Sequence, residues 1–144
     1  MFVSKLALIG LCIILMMSES HAYAQPAHEE SDDAKWMFPA NVDAMVNPYA
    51  NDPEAIQAGK ANYEKLCYVC HGLKGKGDGV AAAGLPVRPA DHTSAAVQNQ
   101  SDGRLFWELS NGHSPMPAYE NVLSDKERWE LIAYIRTLDA KKKK

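Results

Sequence analysis

Residues 67–71 read Cys-Tyr-Val-Cys-His, and the meaning of that stretch decides what kind of fold surrounds it. Two cysteines separated by two residues are compatible with a disulfide, half of a zinc site, a thioredoxin-like redox pair or a covalent haem attachment. The remainder of the chain discriminates among these chemistries.

The N-terminus bears on the compartment. Lys5 precedes the apolar run Leu6–Met17, and Ala22-Tyr23-Ala24 follows a short polar stretch, the pattern of a secretory signal cleaved after Ala24. The run is short for a membrane span, which takes about 20 residues, so a cleaved signal is expected in preference to a retained anchor. Cys12 lies in this run behind Leu11, where lipidation would require a small residue, and it leaves with the signal. Cys67 and Cys70 are then the only thiols of an exported chain. Two thiols cannot build the multi-bridge framework of a small secreted domain.

The part after Ala24, about 120 residues, suits one domain with a modest core. The net charge of the full chain is -3, and its basic residues form no stripe apart from Lys141–Lys144. Nucleic acid is therefore not an expected partner. The expected organisation is a signal or anchor over residues 1–24, an acidic leader over 25–51, a folded domain over 52–140 and a lysine tail over 141–144. Within the leader, Glu29, Glu30, Asp32 and Asp33 predict flexible chain. Trp36-Met37-Phe38-Pro39 interrupts that polarity and reads as a local staple onto the core in preference to a partner contact.

Three helices follow. Asp52-Pro53-Glu54 supplies a capping carboxylate, a proline suited to the first turn and an acid facing the helix dipole. Ile56, Gly59, Tyr63 and Leu66 continue at helical spacing and lead into Cys67. A second helix is predicted over Asp102–Ser110, with Leu105, Phe106 and Leu109 on one face and Gly112 beyond its end. The third opens on the capping box Ser124-Asp125-Lys126-Glu127 and buries Leu131, Ile132, Ile135 and Leu138. No segment alternates as a half-buried strand. Gly72–Asn99 is too rich in Gly and Pro for long regular structure, and a loop of that length is usually functional.

A structural zinc site needs four ligands, and His71, His92 and His113 include no second close pair. A thioredoxin-like pair requires a strand before it and a helix after it, whereas here a helix comes first and a glycine-rich loop second. Covalent haem accounts for all five positions. Cys67 and Cys70 can add to the two vinyl groups of a porphyrin while His71 is brought to its iron as an axial ligand. For the other face, Met116 in the proline-flanked stretch Asn111-Gly-His-Ser-Pro-Met-Pro-Ala-Tyr119 is expected, ahead of the rival His113. Met37 and Met45 are the other methionines beyond the signal.

With these motifs the chain resembles a class I c-type cytochrome, monohaem, of the bacterial periplasmic or membrane-complex-associated kind. The resemblance spans roughly Pro53–Leu138 and rests on residues 59–79, on Asp102–Gly112 with Met116–Tyr119, and on Leu123–Leu138. It implies an all-α cytochrome c fold wrapped around one haem c, thioether bonds from Cys67 and Cys70, and axial ligation of the metal by His71 and Met116. First and last helices should cross tightly, with Gly59 and Tyr63 meeting the face of Tyr134. A proline carbonyl, of Pro86 or Pro89, should accept a hydrogen bond from His71. The implied function is one-electron transfer between periplasmic or membrane-bound redox partners, such as a quinol oxidoreductase, an oxidase or a dehydrogenase. The alternative is a fixed haem subunit of a larger respiratory or dehydrogenase complex, membrane-associated through an anchor or through that complex. No paired carboxylates or activated nucleophile accompany the motif, so an enzyme activity of its own is not expected.

Overall fold

In the computed structural model, which describes residues 36–139, the first helix starts where the capping chemistry places it. The signal-like residues 1–24 with Cys12, the acidic residues 25–35 and the lysine tail 141–144 lie outside the described residues. Helix α1 (Pro53–Leu66) is opened by the Asp52 carboxylate, which accepts from the amides of Glu54 at 2.9 Å and Ala55 at 3.3 Å. It buries Ala55, Gly59 and Tyr63 along one face. Cys67 stays in right-handed helical conformation, and a further turn, α2 (Tyr68–His71), follows it before Gly72. The cysteine motif is therefore itself helical, a turn more than the sequence predicted.

The long loop after Gly72 contains one 3-10 turn, Ala82–Gly84, and one short helix, α3 (Ala95–Gln98), capped by Ser94. Helix α4 (Asp102–Asn111) begins at Ser101, whose hydroxyl accepts from the Arg104 amide, and ends at Gly112. Helix α5 (Asp125–Arg136) carries the complete capping box. The Ser124 side chain accepts from the Glu127 amide, and the Glu127 carboxylate accepts from the Ser124 amide at 2.9 Å. Among the described residues there is no strand beyond an isolated bridge between His113 and Met116, and no helix is long and apolar enough to cross a membrane.

The core is built where α1 crosses α5. A Cβ on Gly59 would lie 1.9 Å from the Glu130 carbonyl oxygen, so the two backbones touch and only glycine fits. One turn on, the rings of Tyr63 and Tyr134 meet edge to face at 5.2 Å, the contact expected of this pair of helices. Leu131 and Ile132 are fully buried beside them, each stabilising the fold by roughly 1.5–3 kcal/mol. Helix α4 adds Leu105, Phe106 and Leu109 to the same core, with Trp129 of α5 stacked on Phe106 at 4.1 Å.

Polar side chains hold the elements in register. Arg136 at the end of α5 donates to the Asp102 carboxylate at 2.7 Å and to the carbonyl oxygens of Val97, Gln98 and Gln100. Val97 and Gln98 end α3, a helix too short to satisfy its last carbonyls internally, and Gln100 lies two residues beyond it. Residues 36–51 pack against α4 and α5. Val42 is buried and its carbonyl meets Gly103, Asp43 pairs with Arg104 at 2.9 Å, and Asn47 donates to the Trp129 carbonyl. The Trp36–Pro39 stretch folds back on the body, as expected of a staple: the Arg104 guanidinium lies 4.8 Å over the Phe38 ring and Trp36 packs on His113.

Two substitutions test the crossing. Gly59→Ala is expected to destabilise by about 3 kcal/mol or more in denaturant unfolding, because backbone cannot yield as a side chain does. Gly84→Ala, with open space where its Cβ would stand, should change stability by less than about 0.5 kcal/mol. Loss of the α5 cap in Ser124→Ala should cost about 1 kcal/mol at neutral pH. The Ser124 hydroxyl and amide hold the Glu127 carboxyl below its ordinary range. Its contribution is therefore present above the ordinary carboxylate pKa and lost as pH falls through the depressed one. A Ser124→Ala penalty that does not shrink in acid would contradict this origin.

Candidate functional site

Four side chains singled out by sequence, Cys67, Cys70, His71 and Met116, line one cleft, as does the rival His113. The cleft has an empty volume of about 1240 Å3 including its mouth, and Leu66, Leu105, Leu109 and Ile132 give it an apolar wall. The cysteines are free and partly buried. Before any attachment, burial, and secondarily Cys70, pushes the Cys67 thiol up to about 12.

The helical turn at residues 67–71 decides how His71 is presented. Its amide donates to the Cys67 carbonyl at 2.9 Å, and its carbonyl accepts from the Gly77 amide at 2.9 Å. Nδ1 lies 3.0 Å from the carbonyl oxygen of Ala90. A carbonyl can only accept, so the ring proton sits on Nδ1 and Nε2 keeps its lone pair for a metal. Burial pulls the His71 pKa down while the Ala90 bond opposes that shift, which favours the neutral imidazole a metal requires.

The acceptor corrects the expectation from sequence, which left the choice between Pro86 and Pro89. It is neither; the chain turns so that the carbonyl one residue past Pro89 faces His71. Gly77 explains the register. It has φ +67°, and a Cβ there would stand 2.2 Å from the Pro89 oxygen, so this turn packs directly on the Pro89–Ala90 backbone. Sequence shows the glycines and prolines of this loop, but not which carbonyl their packing selects.

Met116 reaches the cleft from the loop between α4 and α5. Its amide donates to the His113 carbonyl at 2.8 Å, and the amides of Tyr119 and Glu120 bond back to the carbonyls of Leu109 and Ser110. The loop is thereby pinned to the end of α4 with Met116 between Pro115 and Pro117. Trp36 also lines the cleft, with its ring 5.4 Å from that of His113. His92 lines it from the other loop and stacks on His71. Neither residue carried a sequence signal for this place. Each arrives through tertiary contact, from a leader and from a Gly/Pro-rich loop with no periodicity.

This donor set fits the group expected from sequence: two thiols on a helical turn, an adjacent imidazole with a free Nε2, a thioether from a second loop, and apolar walls around a cleft.

Comparison with known proteins places the chain. The family model described as cytochrome c oxidase, cbb3-type, subunit III, matches residues 54–135. The chain is 27% identical over 97 residues to a quinohemoprotein alcohol dehydrogenase, ADH IIB, of Pseudomonas putida. That match takes in 67% of this chain but only 13% of the dehydrogenase, so the chain corresponds to a small part of that protein. Among solved structures it is similar to a chain of the Kuenenia stuttgartiensis reducing HAO-like protein complex, with 30% identity and a TM-score of 0.60, covering 75% of this chain and 54% of that one. Cytochrome cL of Methylophaga aminisulfidivorans shares the fold, with 24% identity and a TM-score of 0.52 over 73% of this chain and 69% of the other.

Gly77→Ala tests how the loop presents His71. Left-handed backbone and the Pro89 contact together should cost at least about 2 kcal/mol. The protected His71 Nδ1 proton should also disappear from the NMR spectrum, while Gly84→Ala retains it. A Gly77→Ala protein with that proton still protected would show that Gly77 does not position the Ala90 carbonyl.

Proposed function

The chain belongs to the cbb3-type subunit III family of cytochrome c domains, and from that premise we propose that its haem c is held by Cys67 and Cys70 and ligated by His71 and Met116. The protein is a class I c-type cytochrome with covalently bound haem c that transfers electrons without catalytic chemistry of its own. When bound, haem c supplies a one-electron iron couple. The observation that carries the ligand assignment is the gathering of Cys67, Cys70, His71 and Met116 on one apolar cleft, with the His71 Nδ1 proton committed to Ala90.

On this reading each residue has one task. Cys67 and Cys70 fasten the group by thioether bonds and do no redox chemistry. His71 offers Nε2, its basicity raised by the bond to Ala90. Met116 offers a thioether, which favours the reduced state, and its proline-flanked loop holds it there against exogenous ligands. Apolar side chains around the cleft exclude water and raise the potential further. Val87 at the cleft is half exposed, and Val80 is largely exposed beside the turn whose Ala81 amide bonds the Val69 carbonyl. These surfaces suit a transient contact with a redox partner.

The working setting is export to the periplasm and exchange of electrons with other redox proteins, supported by the signal-like residues 1–24. A second reading is a fixed haem subunit of a larger oxidoreductase. It is supported by the likeness to a segment of a dehydrogenase and to a chain of a multi-protein complex. Size-exclusion of native material separates the two, since elution with large subunits would count against a free carrier.

Met116→Ala tests the ligand pair. It should lower the reduction potential by on the order of a few tenths of a volt, within the roughly 0.8 V that axial ligands span, and let cyanide or carbon monoxide bind readily. An unchanged potential and spectrum would transfer the role to His113. Cys67→Ala or Cys70→Ala should lose one thioether bond, and retention of both would refute the attachment.

A further inference from the structure

His71 is held by more than one hydrogen bond. Its ring lies face to face with that of His92, centroids 4.1 Å apart and planes 16° from parallel. The His92 backbone is fixed at both ends: its amide donates to the Gly75 carbonyl at 2.6 Å, and its carbonyl accepts from Gln98 Nε2 at 2.6 Å. The same Gln98 nitrogen donates to the Ile135 carbonyl of α5 at 3.0 Å, which ties this loop to the helical core.

The His92 ring is fixed as well. Its Nδ1 lies 3.2 Å from the hydroxyl of Tyr63, which lies 3.1 Å from the Gly72 carbonyl. Tyr63 has one proton to give and the carbonyl can only accept, so the arrangement that satisfies every group has a single direction. His92 Nδ1–H donates to the Tyr63 oxygen, and the Tyr63 O–H donates to Gly72. Tyr63 is fully buried in the α1–α5 crossing, edge to face with both His92 and Tyr134. A continuous set of rings thus runs from α5 to the histidine of the attachment motif.

We propose that His92 is a positioning residue for His71: its clamped ring sets the plane of the His71 imidazole. The inference rests on the reading of His71 as the axial ligand. One hydrogen bond to a carbonyl tolerates a broad range of directions, so Nδ1···Ala90 alone leaves the imidazole plane free to rock. A flat neighbour within stacking distance removes that freedom. The orientation of an axial imidazole governs the magnetic anisotropy of the iron. That orientation is therefore set, through His92, by the packing of α1 on α5.

Three variants test this role. His92→Ala removes both face and bulk. It should alter the EPR anisotropy and the haem methyl NMR shift pattern of the ferric protein. His92→Leu keeps bulk without a flat face, so the ferric signature should shift as well. His92→Phe keeps the flat face but not the Nδ1 bond to Tyr63, so its signature should lie between those of His92→Leu and the wild type. Haem content and helix signal are measured on each, and if His92→Ala does not mature, the Leu and Phe pair carries the comparison. Wild-type signatures in both His92→Ala and His92→Leu, or a His92→Phe signature no nearer to wild type than that of His92→Leu, would overturn the proposal. The ligand reading is checked independently by His71→Ala, which should abolish the low-spin signal; a low-spin signal that survives would refute the ligand assignment itself.

Discussion

Gly59 lies against the Glu130 carbonyl so closely that no side chain fits between α1 and α5, and the geometry of the site descends from that contact. The crossing decides the depth at which α1 is buried, and so where its last turn delivers Cys67. Tyr63, one turn past Gly59, is buried by the same crossing, and its hydroxyl is thereby placed to reach both Gly72 and His92. A single close approach of backbones fixes the start of the attachment motif and the support behind its histidine. Backbone contact suits this purpose, because it cannot relax by changing rotamer.

The two walls of the cleft are held by different means. On the histidine side the chain is a glycine-rich loop with little apolar side chain to pack, and its conformation comes from backbone contact: Gly77 on Pro89, and the His92 amide on Gly75. On the methionine side the loop is short, flanked by prolines and bonded to the end of α4 through Tyr119 and Glu120. The proposed donor on either wall thus sits on a backbone held by rigid surroundings, which is what a redox site needs if its ligands are not to move between oxidation states. The cleft between them is lined by the same leucines and isoleucines that form the core, so the cofactor of this family completes the core of a small domain.

Much of this was legible in the chain. Cys-Tyr-Val-Cys-His gathers its groups by spacing alone, since two thiols and a histidine within five residues are close in space whatever follows, and the helix before it and the glycine-rich loop after it chose among the chemistries that this spacing allows. Helix starts were legible for the same reason: Asp52 and Ser124 cap amides two or three residues away, and the structure has both caps in place. The apolar periods of α1, α4 and α5 gave an all-helical body, and Met116 stood out because methionine between two prolines is a poor choice for a core. Arg136 did not stand out. It reads as a charged residue at a helix end, yet it satisfies three carbonyl oxygens and Asp102 of segments more than thirty residues away.

What the sequence determined by itself is therefore local: the attachment motif, the helix caps, the buried faces and the candidate ligands, each specified by interactions within a turn or two of chain. Only the tertiary structure decided that Ala90, and neither Pro86 nor Pro89, accepts the His71 proton, that His92 stacks behind it, and that Trp36 returns to the cleft beside His113. The physical reason is common to all three. A carbonyl exists at every residue and a ring at many, so the identity of the residue carries no information about which one is used. That choice is made by the path of a loop, and the path is set by packing against helices distant in sequence.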